Sequence, residues 1–189
     1  MALFRFLILL LAFMQPASAA NNDEAFWSAL KSGKHVVLIR HAITEPGIGD
    51  PPGFVQGDCT TQRNLSAQGR NDAQRIGEAF RSRNIPVSEV LSSRWCRCLD
   101  TANLAFGKAT PAPMLDSMFN DKEKPGEEKL REVYAAVNRS PSSGTLVLVT
   151  HHQNIQALTG VSVGSGEMVV VTPEAGKLRV LGRLNLSGS

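Results

Sequence analysis

The chain has 189 residues, of which 42% are hydrophobic, 20% charged and 6% aromatic. That length suits one domain, and the composition excludes a disordered chain, a collagen-like chain and a disulfide-dense miniprotein. The 20 Lys+Arg against 17 Asp+Glu leave a formal charge of +3 with no Lys/Arg-rich block, so nucleic acid is not an expected partner.

Residues 1–19 open with Arg5, continue through the apolar run Phe6–Phe13 and end in Ala17-Ser18-Ala19. A positive start, a short apolar run and small terminal residues mark a secretory signal peptide. The run is well short of the ~20 residues a bilayer span needs, so no transmembrane anchor is expected after cleavage. Residues 20–189 then read as a single periplasmic or secreted domain, in a compartment where disulfides persist.

Within that domain, Lys34–Arg40 is a continuous apolar run and reads as a buried strand. Residues 42–63, with Pro46, Gly47, Gly49, Pro51, Pro52, Gly53 and Gly57, form a long aperiodic loop; such loops are usually functional. Its Asp50–Phe54 stretch is expected on a pocket rim, since Phe54 would otherwise lie exposed. Ser66 is a good N-cap for a helix over 67–83, with Ala73, Ile76, Gly77 and Phe80 facing inward. Pro86–Ser92 reads as the next strand, followed by a helix over 95–106 that ends at Gly107. Residues 108–126 read as irregular, with a short strand near 112–115. A helix follows over Glu127–Asn138, then a buried strand over Gly144–Thr150 and a short helix over Gln153–Leu158. Met168–Thr172 and Lys177–Leu184 read as a hairpin around a Pro-Glu-Ala-Gly turn. Strands alternating with helices predict an α/β fold: a three-layer sandwich, its mostly parallel central sheet flanked by helices, with an antiparallel C-terminal hairpin.

Cys59, Cys96 and Cys98 are odd in number, so at least one thiol is free or pairs between chains. On a helix over 95–106, Trp95, Leu99, Ala102 and Phe106 share the inward face. Cys98 lies near that face and Cys96 points off it, which favours a Cys59–Cys96 bridge over three unpaired buried residues.

Both buried strands run into histidines, the first at Arg40-His41 and the second at Thr150-His151-His152. Ligands of open α/β sheets bind at the carboxyl ends of the strands, so His41 and His151 are expected in one crevice. Arg94 and Arg97 follow the Pro86–Ser92 strand into the same layer. Guanidiniums gathered there match the oxygens of a phosphate. A neutral imidazole can attack phosphorus, and neighbouring Arg charges lower its pKa. A metal site built from His41, His151 and His152 is the rival chemistry, but the arginines would repel a cation and no ligand spacing fits a known cage. His152 is expected to face elsewhere than its neighbour.

Four segments together resemble the histidine phosphatase superfamily, the phosphoglycerate-mutase-like proteins. Leu38–Ala42 is similar to its Arg-His-Gly signature, with Ala42 in place of Gly. Asn64–Arg70 resembles its Leu-Thr-x-x-Gly stretch, Leu91–Ala102 its Ser-Ser-Pro-x-x-Arg block, and Val147–His151 the block holding its second histidine. The resemblance implies His41 as phosphorylated nucleophile, with Arg40, Arg97 and His151 binding phosphate and Thr44 assisting. Arg94 stands where the family has Pro, and His152 where Gly is common. The family's proton donor falls between the second Arg and the second His, where Asp116, Asp121, Glu123, Glu127 and Glu128 lie. Glu123 is the choice, on an irregular segment ahead of a helix; Glu45 and Asp50 are rivals. The implied protein is an exported phosphatase that hydrolyses phosphomonoesters, small-molecule or glycolipid, through phosphohistidine, with neither metal nor organic cofactor. A phosphomutase and a catalytically silent phosphate-binding module are the alternatives.

Overall fold

Apolar runs without polar alternation need cover on both faces, and the fold supplies it. The computed structural model describes residues 18–32, 35–119, 121, 123–139, 143–174 and 177–187, without the side chains of residues 18–22 and 123–125. The expected signal segment, through residue 17, lies outside the described residues. In chain order the elements are α1 (Ser18–Lys31), β1 (Val36–Arg40), α2 (Ala67–Ser82), β2 (Val87–Ser92), α3 (Cys96–Phe106), β3 (Thr110–Pro111), α4 (Glu123–Asn138), β4 (Thr145–Thr150), α5 (His152–Thr159), β5 (Met168–Glu174) and β6 (Lys177–Leu184). Among the described residues, no helix is long and apolar enough to cross a membrane.

The strands form one sheet in the order β3-β2-β4-β1-β5-β6. The β3, β2, β4 and β1 strands run parallel, while β5 and β6 add the antiparallel hairpin. Alternate residues of each strand go to opposite layers. Val37 and Ile39 pack with Phe26, Leu30, Ile76, Phe80 and Ala102, from α1, α2 and α3. Val36 and Leu38 pack with Val133 and Val137 of α4 and Ile155 and Leu158 of α5. Fully burying such a side chain contributes about 1.5–3 kcal/mol, so this two-sided core anchors the sheet.

The turn chemistry follows local rules. The Ser66 hydroxyl caps α2 by accepting from Gly69 N–H at 3.1 Å, and Gly107, at φ 71°, closes α3 in the left-handed conformation. Helices α2 and α3 approach so closely that a Cβ at Gly77 would sit 2.0 Å from the Ala105 carbonyl oxygen. Gly69 admits the Ile43 carbonyl in the same way, at 1.9 Å. This contact seats the loop after β1 on the start of α2.

Several boundaries differ from the sequence reading. Helix α1 was not anticipated, although Phe26, Trp27 and Leu30 carry a helical i, i+1, i+4 spacing and are buried. Helix α4 starts at Glu123, not Glu127. Pro125 lies in its first turn, where a missing N–H costs nothing, so Pro125-Gly126 does not break it. The strand expected near 112–115 sits at Thr110–Pro111, and Pro113–Leu115 is a 3-10 turn. In α3 the inward face is Cys98, Ala102 and Ala105, with Leu99 only half-buried. Ala175 and Gly176 of the hairpin turn lie outside the described residues.

Cys59 and Cys96 form a disulfide, and Cys98 is free and buried. The bridge ties a 3-10 turn of the long loop (Cys59–Thr61) to the first residue of α3. Gln62 adds a second tie, its Oε1 accepting from Cys96 N–H at 3.0 Å. The two cysteines are 37 residues apart, for which restriction of the unfolded chain is worth about 4 kcal/mol. Replacing both by Ser is expected to lower the thermal midpoint by on the order of 10 °C, checked by calorimetry against the oxidised protein.

Candidate active site

Strands β1 and β4 are adjacent and parallel, with Arg40 paired to Thr150. Their next residues, His41 and His151, therefore leave the sheet side by side, ring centroids 5.4 Å apart. The His41 backbone N–H still bonds Thr150 O at 3.0 Å, so the ladder fixes where the ring starts. Its Nδ1 lies 2.9 Å from Ala42 O. A carbonyl oxygen only accepts, so Nδ1 carries the proton and Nε2 keeps a free lone pair. Burial pushes His41 down to about 3. The Ala42 bond pulls the other way, while the Arg97, Arg40 and Arg63 charges add to the lowering. The ring is neutral and nucleophilic at any ordinary pH.

Around it lies a cavity of about 760 Å³ lined by Arg40, Arg63, Arg97 and both imidazoles. Burial, then the charges of Arg63 and Arg97, lower the Arg40 guanidinium from its ordinary value, with Glu167 opposing. Arg40 and Arg97 each carry a buried Nε with no partner among the described residues. Clustered cations with unused donors are what a polyanion such as phosphate satisfies.

One carboxylate holds the cluster in shape. Asp50 Oδ1 accepts from Arg97 Nη1 at 2.7 Å and from Arg63 N–H at 3.0 Å, and Oδ2 accepts from Trp95 Nε1 at 2.9 Å. Burial works to raise its pKa, but the bonds from Arg97, the Arg63 backbone and Trp95 outweigh it, so Asp50 sits below the ordinary carboxylate value. The Arg97 and Asp50 side chains are only 5% and 7% exposed. Arg63 in turn gives Nε–H to Gly49 O at 2.7 Å and bonds Thr44 Oγ1 through Nη1. Thr44 therefore supports Arg63 and is not on the cavity wall.

Behind His151, Ser93 Oγ donates to Asp116 Oδ1 at 3.3 Å and must accept from His151 Nε2 at 2.9 Å. That bond puts the His151 proton on Nε2. Burial, then His41 and Arg97, lower the His151 pKa well below its usual value. Cys98 Sγ also lies 3.5 Å from His151 Nε2. Burial raises that thiol to about 12, so it stays an inert S–H.

The sequence-predicted residues divide accordingly. His41, Arg40, Arg97 and His151 converge. Arg94 does not: it turns to Asp116, bonding Oδ2 from Nε at 2.7 Å. His152, expected to face elsewhere, lines the cavity, with Nδ1 3.0 Å from Val163 O, the carbonyl that also accepts from Arg40 Nη1. Among the acids, Asp116 is occupied by Arg94, while Glu45, Glu127 and Glu128 are exposed and off the cavity. Asp50 and Asp121 line it, and Lys129 holds Asp121 at 2.6 Å. Glu123 opens α4, not an irregular segment, and its side chain lies outside those described. Arg63 was missed. It reaches the site because an antiparallel bridge pairs Leu65 with Thr44, a long-range contact with no local sequence signal. Among the described residues, no group of three or more His, Cys, Asp or Glu is arranged to hold a metal ion.

Comparison with known proteins finds a family model that fits part of the sequence and solved structures of similar fold. Residues 36–123 fit the model described as histidine phosphatase superfamily (branch 1). Over these residues the chain resembles the histidine phosphatase superfamily. Solved structures of similar fold include the protein histidine phosphatase SixA complexed with tungstate, at 14% identity and TM-score 0.55, covering 80% of this chain and 96% of that one. An open reading frame product of Mycobacterium tuberculosis aligns at 17% identity and TM-score 0.58, covering 82% and 98%. The alpha-ribazole phosphatase from Shigella flexneri aligns at 18% and 0.56, covering 78% and 96%. At such identities the likeness is one of fold. No curated protein matches the sequence.

Two outcomes follow for this histidine phosphatase fold. Native His41 and His151 refuse protons that the unfolded chain binds below about 6.5. Their contribution to stability is thus complete above that pH and is lost as pH falls, for His41 toward 3 at about 1.4 kcal/mol per pH unit, with His151 acting in the same direction. Urea denaturation across pH 7 to 4 in phosphate-free buffer checks this slope, and His41→Asn is expected to flatten it. Asp50→Asn leaves Arg97 buried without its carboxylate, and is expected to cost roughly 3 kcal/mol, read as a lower urea midpoint.

Proposed function

We propose that the chain is an exported phosphatase that hydrolyses phosphomonoesters through a phosphohistidine on His41, with water as the final acceptor. The observation that carries this reading is the state of His41: buried and neutral, Nδ1–H fixed to Ala42 O, Nε2 free among Arg40, Arg63 and Arg97. In the first step Nε2 attacks phosphorus; the N–P bond forms as the ester P–O bond breaks, and the guanidiniums neutralise the phosphoryl oxygens. The bound dianion favours a proton on His151, whose ring then donates to a phosphoryl oxygen. The departing alkoxide needs a proton, for which Glu123 remains the proposed donor. Asp50 is held ionised by Arg97 and Asp121 is engaged by Lys129. Water then attacks the phosphohistidine and gives one proton back to the Glu123 carboxylate left by the first step; the N–P bond breaks, phosphate leaves and Nε2 recovers its lone pair. Neither step calls on a metal or an organic cofactor. Export to a periplasmic or extracellular setting is supported by the signal-like residues 1–19 and by the Cys59–Cys96 bridge.

Hydrolysis of p-nitrophenyl phosphate tests the nucleophile. His41→Ala is expected to lower kcat by on the order of 1,000-fold or more, and labelled phosphate is expected on His41 of the native protein after an alkaline quench. Turnover that survives His41→Ala defeats the reading. Equal release of alcohol and inorganic phosphate separates hydrolysis from transfer to a second alcohol. An aryl leaving group needs little acid help, so Glu123→Gln is expected to slow an alkyl phosphate far more than the aryl one.

A further inference from the structure

The loop that carries Asp50 also carries side chains that no phosphate would bind. The exposed large hydrophobic residues among those described are Ile43, Ile48, Phe54, Val55 and Phe119. Three of them, Ile48 at 92% exposure, Phe54 at 36% and Phe119 at 53%, line the same cavity as His41. They come from two separate segments, so chance neighbours in sequence do not explain the grouping. Apolar side chains gathered at the mouth of a polar pocket mark a ligand-contacting surface.

Both segments are braced. Ile48 stands between Gly47 at φ 136° and Gly49 at φ 70°, backbone that side-chain-bearing residues rarely adopt. Arg63 Nε–H grips Gly49 O, and Asp50 grips Arg63 N–H and Trp95 Nε1. Phe54 rests on Trp95 with ring centroids 5.9 Å apart, and Trp95 on His151 at 5.6 Å. An aromatic path thus runs from the phosphate-binding imidazole outward to the rim. On the other side Met118 N–H bonds Asn154 Oδ1 at 3.1 Å, which fixes the segment beside Phe119 to α5.

We infer that the leaving-group side of the cavity is an apolar subsite, and that the substrates are phosphomonoesters whose alcohol presents an aromatic ring or an alkyl chain to Ile48, Phe54 and Phe119. This rests on the phosphatase reading and adds the class of alcohol to it. The cationic end takes the phosphate and the rim takes the apolar part, so an amphiphilic ester satisfies both ends of one cavity.

The test compares 2-phenylethyl phosphate with glycerol 3-phosphate, both esters of primary alcohols. A kcat/KM at least tenfold higher for the phenylethyl ester is expected, carried mainly by KM. The Ile48→Ser, Phe54→Ser double variant and Phe119→Ser are each expected to shrink that ratio several-fold. A ratio near one, or a ratio unmoved by the substitutions, overturns the inference. Calorimetric titration with 2-phenylethylphosphonate and 2-hydroxyethylphosphonate repeats the comparison without turnover: tighter binding of the first by about tenfold supports it, equal binding overturns it. Turnover that persists in His41→Ala strikes the phosphatase reading, while the phosphonate pair still decides the subsite.

Discussion

Crowding three guanidiniums against two buried imidazoles is electrostatically unfavourable, and much of the local structure exists to hold that arrangement. Arg40, Arg63 and Arg97 lie within interaction range of one another, and one buried carboxylate, Asp50, pairs with the Arg97 guanidinium while holding the Arg63 main-chain N–H. Asp50 sits on a loop, yet the loop is fastened at Gly49, at Gln62 and at Cys59. What remains uncompensated is positive charge with spare donors, which is the form a phosphate cradle must take before its guest arrives.

Burial and the same crowding together set the chemistry of the histidines. Burial is the main reason both rings stay neutral, and the guanidinium charges reinforce it, since a protonated imidazole would add one more cation to the cluster. Neutrality alone does not orient a nucleophile. The Ala42 carbonyl selects the His41 tautomer, and the chain from Asp116 through Ser93 selects that of His151. Backbone and hydroxyl groups thus give two chemically identical residues different roles, one able to attack and one able to stabilise.

Much of this was readable from the chain, and what escaped did so for physical reasons. The two-sided strands Val36–Arg40 and Thr145–Thr150 betray themselves by unbroken apolar runs, and the histidines at their ends follow from where such strands point. The Cys59–Cys96 pairing followed from helical geometry. Helix α1 escaped because its short apolar spacing stands next to the apolar leader. The start of α4 escaped because Pro125-Gly126 reads as a breaker to local propensity, although proline is harmless in a first turn. Arg63 and the clamping role of Asp50 escaped for a deeper reason. They are defined by contacts between a loop and a helix start, and no periodicity encodes those.

The covalent ring closed between Cys59 and Cys96 deserves a mechanical reading. It encloses Arg63, all of α2 and all of β2, and it closes on the residue immediately before Arg97. The two arginines that Asp50 bridges are therefore neighbours of the junction, one four residues inside it and the other one residue beyond. A breathing motion that carried the loop off the sheet would drag the start of α3 with it. The ring thereby limits how far the backbones that carry these two arginines can separate.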